Sequence, residues 1–387
     1  MSQHTIIIGG GGIGSAIACF LSAASAPGDR VTVVERDPTY QMASSSLSAS
    51  SIRQQFSTPL NVQLSQFGWE FMRSCTDEAG VPGGAVGLNE RGYLFVGRED
   101  QAASLRQRAD GNRALGVSIH EFTPEELGAR FPWMRCDDLA YGAVGAAGEG
   151  WFDGYMLQQL YRSRARARHA QYMRGEVVRL ETRGPRIVAA ILADGSRIEG
   201  DRFVNAGGPW SANVARTVGV EIPVRARRRT IFVVSCPTPL ADFPILIDSS
   251  GIFVRPEQHH FLCAVVPDEK SDHDDLPLDP DFTLFEDAIW PTLAERIPAF
   301  EALRVERAWA GYYEFNTVDH NGLVGQIGPD NFFLATGFSG HGLMHSAGIG
   351  RGVAELLTLG NYQTLDLSPL SPQRLETGQL IVEDAVY

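Results

Sequence analysis

The chain opens with Thr5-Ile6-Ile7-Ile8 running into Gly9-Gly10-Gly11-Gly12-Ile13-Gly14. A helical stretch follows from Ser15 to Ala24, and the apolar run Val31-Thr32-Val33-Val34 then ends at Glu35. Strand, glycine turn, helix, strand and acid in that order make a dinucleotide-binding βαβ unit. Gly9 permits the tight turn off the strand, Gly11 lets the backbone approach a pyrophosphate, and Gly14 lets the helix lie close on the sheet. The first N–H groups of the helix and its positive dipole end suit phosphate. Glu35 falls about 20 residues on, where a carboxylate can accept hydrogen bonds from a ribose hydroxyl. A lone GxGxxG leaves open a glycine turn with no ligand; the flanking strand, helix and acid argue against that here.

At 387 residues the chain is long enough for two domains. A net charge of −13 argues against nucleic acid and against an anionic membrane surface as partners. No apolar run approaches the ~18 residues of a membrane span. The N-terminus lacks a basic segment and Ile6 to Ile8 belong to a strand, so no signal peptide and a cytoplasmic location are expected. The five cysteines are scattered without a CxxC pair and suit small core positions in a reducing compartment. The histidines show no metal spacing, so no metal site is expected, and Lys270 is the only lysine.

Ser44-Ser45-Ser46, with Ser48, Ser50 and Ser51, makes a serine-rich loop before a helix at Asn61 to Met72. Gly92 to Gly97 reads as a strand, and residues 99–130 as a polar helical region closing near Pro132. Ile187 to Val204 holds two strand-like runs around the turn pair Asp194-Gly195 and leads into Asn205-Ala206-Gly207-Gly208-Pro209-Trp210, where a helix should begin. Ile231 to Ser235 and Gly251 to Val266 read as sheet, which puts adjacent His259 and His260 on opposite faces, and 268–281 as an exposed acidic loop. Asn331 to Thr336 is strand-like and meets Gly337-Phe338-Ser339-Gly340-His341-Gly342, with a helix from Ser346 to Leu359 stopped by Gly360. Two strand–glycine loop–helix units at opposite ends of the chain are expected to converge on one bound molecule. The expected fold class is α/β (α+β, two-domain). Residues 1–85, 145–225 and 325–387 would form a discontinuous Rossmann-like domain, and 86–144 with 226–324 an inserted substrate domain with a mixed or antiparallel sheet.

Several motifs together carry a family resemblance: GGGGIG with Glu35-Arg36, SSSLSASSIRQQF (44–56), NAGGPW (205–210), WAGYYE (309–314) and ATGFSGHG (335–342). The chain resembles the D-amino-acid-oxidase-type flavoproteins: glycine oxidases, sarcosine oxidases and dehydrogenases, and D-amino-acid dehydrogenases. IRQQF, WAGYYE and ATGFSGHG are most similar to FAD-dependent oxidoreductase-domain proteins, whose mitochondrial members are linked to respiratory-chain assembly. The resemblance implies FAD. Gly9, Gly11 and Gly14 would take its pyrophosphate, Glu35 the adenosine ribose, and Arg36 would flank the adenine. Ser44, Ser45 and the backbone of Ala49, Ser50 and Ser51 would approach the pyrophosphate and the flavin ring. The Val178 backbone would read the adenine, and Gly207 and Trp210 would line the cleft. Gly337, Ser339, Gly340, His341, Gly342, Leu343 and Met344 would lie at the flavin, where the following helix's positive end can stabilise negative charge on the ring. NAD is disfavoured, because a second glycine loop suits a large fixed flavin better than an exchangeable nicotinamide.

In sarcosine oxidases an Arg at the place of Arg53 grips the substrate carboxylate, a task for which a guanidinium fork is suited. Pairing of Arg53 with a structural acid, or a place on the surface, is the alternative. Three departures from the relatives matter. Met344 stands where sarcosine oxidases have a clamp Lys, and Tyr313 where D-amino-acid dehydrogenases have an Arg; Tyr313 could still donate a hydrogen bond. Ala264 stands where an oxygen-activating Lys is found in sarcosine-type oxidases, which favours a dehydrogenase or an oxidase with another device. Residues 309–320 hold no Cys and 41–56 no His, so non-covalent FAD is expected. His341 could bond the flavin, poise a proton or support its loop. Phe56, Phe253, Arg255 and His260 are further substrate-pocket candidates. Glu314 is either a buried acid or a loop residue, and Arg225, Arg227, Arg228 and Arg229 read as a solvated or acid-paired face. With Arg53, Tyr313 and His341 as reaction-centre candidates, the expected activity is oxidation of the C–N bond of an amino acid or N-substituted amine to an imine by hydride transfer to the flavin. Oxidation of a 2-hydroxy acid, or a role as an assembly partner or oxidase subunit, stays open, as does the homo- or hetero-oligomeric state.

Overall fold

The β-branched segment His4–Ile8 is the middle of a six-stranded sheet, pairing in parallel with Arg30–Glu35 on one side and Arg202–Asn205 on the other. The full order is Leu323–Gln326, Phe332–Thr336, Arg202–Asn205, His4–Ile8, Arg30–Glu35 and Gln171–Arg174, and only the first pair is antiparallel. Alternate side chains leave the sheet on opposite faces. Ile7 and Val33 join the helices Gly12–Ala24 and Gly342–Leu359, whereas Ile6, Ile8 and Val34 join Val177, Leu180 and Leu192 of a three-stranded antiparallel sheet on the other side. The chain here is therefore three layers deep, with the inner strands of the run buried on both faces and the edge strand Gln171–Arg174 largely exposed. This computed structural model describes residues 2–385; the outermost ends of the expected Rossmann-like domain, residue 1 and residues 386–387, lie outside them.

A second, eight-stranded sheet runs Arg304–Asn316, Val224–Ser235, His260–Ala264, Phe253–Glu257, Ile245–Ile247, Tyr93–Gly97, Tyr141–Gly145 and Ile119–Phe122. Its pairs are antiparallel except Ile245–Ile247 with Tyr93–Gly97. An aromatic cluster that includes Phe232, Phe243, Phe261, Phe285 and Phe300 fills one face. The opposite face carries Tyr93, Ile231 and Phe253 with Ala49 of the serine-rich loop against it. The observed fold is thus a Rossmann-like sheet combined with a mixed, mainly antiparallel one, as the sequence predicts.

Four local expectations need correction. Residues 99–130 are not continuously helical: the helix Glu99–Ala114 stops before Gly116 (φ +83°), and Ile119–Phe122 adds a strand to the sheet edge. Ile187 to Val204 holds three strands, because Arg197–Glu199 closes the small sheet while Arg202–Asn205 enters the parallel one. The last long helix begins at Gly342 rather than Ser346, so the GHG glycine is its first residue. His259 occupies a turn, which removes the premise that it faces away from His260 across a strand. All five cysteines are free thiols, four of them buried. Among the described residues no helix is long and apolar enough to cross a membrane, and no group of three or more His, Cys, Asp or Glu is placed to hold a metal.

Candidate cofactor and substrate site

The glycine turn is built by steric necessity. Gly9 sits at φ +93°, and a Cβ there would lie 2.4 Å from the Ala206 carbonyl oxygen. A Cβ on Gly14 would lie 1.9 Å from the Gly9 oxygen. Gly14 is therefore the contact that seats the helix on the strand and does not reach the cavity, which corrects its expected place on the pyrophosphate. Gly9, Gly11 and Gly12 line a long cavity that continues past Glu35, Arg36, Gly207 and Trp210 at one end and Ser44, Ser45 and Ser48 at the other. The Glu35 carboxylate is fixed there by the N–H groups of Gly10 (2.7 Å) and Asp37 (2.8 Å). The Arg36 guanidinium lies 3.4 Å over the Trp210 ring, giving the cavity end a flat cationic plate suited to a planar base. Val178 is not part of it. Gly175, Glu176 and Val177 line the cavity, while Val178, one step along the strand, is half exposed.

A second cavity adjoins the first, and the two share Ser44, Ser48, Tyr312, Tyr313, Gly340 and Leu343. Its wall includes Ser50, Ser51, Arg53, Tyr93, Phe253, Ala264, Ser339, His341 and Met344. The structure thus brings together Arg53, Tyr313 and His341, which lie far apart in sequence. Of the further substrate-pocket candidates it brings in Phe253 but not Phe56, Arg255 or His260. Arg255 donates from Nε (3.1 Å) and Nη2 (2.9 Å) to the Ala49 carbonyl, bracing the serine loop from behind, with Glu257 on its Nη1 (2.6 Å). His260 lies opposite Glu257 on the same hairpin, outside both cavities. Phe56 is buried beneath Arg53, 4.1 Å from its guanidinium carbon, and edges against His341. Gly337 lies outside both linings and gives its N–H to Glu314 (3.2 Å). Glu314 is the buried acid of the two options, lining the first cavity, and burial pushes it up to about 7.

Arg53 is buried, donating to the Gln55 carbonyl (2.9 Å) and to the Ala385 carbonyl. Its loop is pinned by Glu149, which accepts from Gln54 N (2.6 Å) and Gln55 Nε2 (2.9 Å). Behind it the Glu383 carboxylate takes Ser57 N, Ser57 Oγ, Thr58 N and Asn61 Nδ2. Burial pushes Glu383 up, but Arg53 and the Ser57 N–H outweigh it and hold this carboxyl low. Burial holds the His341 imidazole far below its usual range, and its Nε2 has no hydrogen-bond partner among the described residues. His341 is therefore a neutral ring offering one nitrogen to the cavity, which argues against a proton-poising role near neutrality. Tyr313 is raised by burial, with Arg229 and Arg53 opposing, so its O–H stays a donor.

Burial also pushes Glu149 up to about 7 from an ordinary 4.5. The folded state then holds a proton that the unfolded chain releases above about 4.5, so this residue lowers stability as pH rises from about 4.5 to 7 and no further above. Glu314 acts with the same sign. Urea unfolding of wild type and Glu149→Gln at pH 5 and pH 8 should show the gap moving in the variant's favour by up to about 3 kcal/mol.

Three supporting residues escaped the sequence reading: Arg229, Glu149 and Glu383. The Arg225–Arg229 run is acid-paired as one reading held, through Asp272, Asp274 and Asp281. Yet Arg229, 6 % exposed, also lines the second cavity with its guanidinium 5.2 Å over Tyr313. The strand period was the available signal, since 225, 227, 229 and Ile231 share a face.

The residues present fit a flavin dinucleotide. The glycine cradle admits a close backbone approach, and the Arg36–Trp210 plate suits an adenine. The Ser44 hydroxyl, buried where the two cavities meet, has no partner among the described residues. The family model described as "FAD dependent oxidoreductase" matches residues 4–356. "FAD-dependent oxidoreductase domain-containing protein 1" of Xenopus laevis is 36% identical, over 98% of this chain and 83% of that protein. Mitochondrial sarcosine dehydrogenase of Mus musculus is 27% identical over 74% of this chain and 32% of its own length. The solved L-proline dehydrogenase of P. horikoshii superposes with a TM-score of 0.86 at 24% identity, covering 98% of this chain and 99% of that one, a likeness of fold. The chain belongs to the FAD-dependent oxidoreductase family, and its cofactor is FAD.

Proposed function

We propose that this chain oxidises the C–N bond of a carboxylate-bearing amine, an amino acid or an N-substituted amine, to an imine that water then hydrolyses. The observation that carries the reading is the meeting of Arg53 and Tyr313 in one cavity that opens into the FAD cavity. Bound FAD supplies the hydride acceptor, and the chain supplies binding, orientation and a dry wall. Arg53 takes the carboxylate, and Tyr313 donates its O–H beside it. An amine nitrogen must be neutral to give up a neighbouring hydride. The Arg53 guanidinium in the same cavity disfavours an ammonium and so favours the neutral amine. The partnerless His341 Nε2 is a further hydrogen-bond point for substrate or flavin. In this reading the segments of the parallel sheet form the FAD-binding domain and those of the eight-stranded sheet the substrate domain.

The relatives' names agree with amine chemistry: sarcosine dehydrogenase by sequence, and L-proline dehydrogenase among the fold neighbours. Ala264 in the second cavity, with Lys270 out on the exposed acidic loop, supports an acceptor other than oxygen. The test is anaerobic mixing of the yellow protein with N-methyl, D- and L-amino acids beside 2-hydroxy acids. Amines should bleach it; bleaching by hydroxy acids alone would overturn the reading. FAD is held without a covalent bond in this proposal, so trichloroacetic acid should leave the colour in the supernatant, and a yellow pellet would refute it.

A further inference from the structure

Arg229 has more hydrogen-bonding capacity than its anchoring role consumes. Its Nη1 and Nη2 grip Asp272 at 2.8 and 3.0 Å, and Nη1 also reaches the Arg228 carbonyl at 2.8 Å. Its Nε is buried and donates to nothing among the described residues. A dry, unused N–H on a charged group is costly unless something meets it. The edge formed by Nε and Nη2 is one of the two faces on which a guanidinium takes a carboxylate bidentately.

Charge points the same way. Asp272 is shared between Arg229 and Arg227 (3.7 Å), Asp274 between Arg227 (2.9 Å) and Arg225 (3.5 Å), and Asp281 serves Arg228. Three carboxylates thus answer four guanidiniums, and of the four only Arg229 lines the substrate cavity. If the cluster served only to fasten the acidic loop, the pairs made by Arg225, Arg227 and Arg228 outside the cavity would suffice.

We propose that Arg229 reads a second anionic group, so that the preferred substrate is an amine carrying two carboxylates or equivalent anions, one for Arg53 and one for Arg229. The proposal rests on the assignment of Arg53 to the first carboxylate and adds the substrate class to it. Tyr313 lies beneath the Arg229 guanidinium and in the field of Arg53, lining the same cavity as both.

Calorimetric titration of the FAD-loaded protein with two thioethers tests this without turnover, since neither has an amine nitrogen. Methylthioacetate carries one carboxylate and thiodiacetate two. Wild type should bind thiodiacetate at least about 10-fold more tightly, the worth of one added charge-assisted contact. Arg229→Gln should erase that preference, and Arg229→Lys, which keeps the charge but loses the fork, should retain part of it. Equal affinity of wild type for the two probes would overturn the proposal. So would Arg229→Gln weakening both probes by the same factor, the signature of a loop anchor. If Arg53→Gln leaves both affinities unchanged, the assignment of Arg53 itself fails, a distinct result.

Discussion

Replacing Arg53 by Gln should lower kcat/KM on the true substrate by roughly a thousandfold. Hydrogen bonds to a charged group contribute about 1.5–3 kcal/mol each, so losing a two-point grip costs about 3–6 kcal/mol, or 10²- to 10⁴-fold. The loss should fall on both kcat and KM, because the carboxylate both binds the substrate and aims its C–H bond. Arg53 also holds the Gln55 and Ala385 carbonyls, so flavin content and thermal unfolding must be followed in parallel. Arg53→Lys restores the charge without the fork and should recover part of the activity. Steady-state rates with an artificial electron acceptor read the effect. Unchanged turnover and KM in a variant that keeps its flavin would remove Arg53 from the site.

Gly340→Ala should yield protein largely devoid of FAD, with affinity for added FAD reduced at least about 100-fold. Gly340 belongs to both cavity walls and sits at φ +99°. A Cβ there would lie 2.4 Å from the Tyr313 ring, so either the ring or the loop that starts the helix Gly342–Leu359 must move. Left-handed backbone alone costs about 1–2 kcal/mol for an alanine; displacement of the flavin loop adds to it. Gly360→Ala is the control. Its φ is +79° and nothing lies within 4 Å of the new methyl, so it shares the backbone strain without the clash. It should lose about 1 kcal/mol of stability and keep its flavin. Visible absorbance per polypeptide, with fluorescence titration of FAD, separates the two. Full flavin occupancy in Gly340→Ala would show that the loop does not contact the cofactor as assigned.

The parts of the site legible in the chain are local ones. Gly9 and Gly340 announce themselves because the backbone conformation and the space they need admit no side chain, and both lie within a short strand–turn–helix pattern. Glu35 and Gly360 are legible from position alone, one at the end of the second strand and the other at a helix end. Position along a strand was less secure. Val177 lines the cavity, while Val178, the expected residue, lies on the surface, since one step along a strand changes the face. Arg255 illustrates a different failure: a cation on a pocket-domain strand has the same composition signal whether it meets substrate or a carbonyl, and here Ala49 takes it.

Sequence alone determined the nucleotide half of this protein, because a dinucleotide cradle is made of backbone within some thirty consecutive residues. Only the tertiary structure decided the substrate half. Arg53 comes from a loop braced by Glu149 and Glu383, Tyr313 from one strand, and Arg229 from the strand paired with it, two residues along the register. The Asp272 that neutralises Arg229, and leaves its Nε without a partner among the described residues, lies on a loop more than forty residues away. Charges brought together across such separations are fixed by sheet pairing and packing, and no spacing within the chain records them.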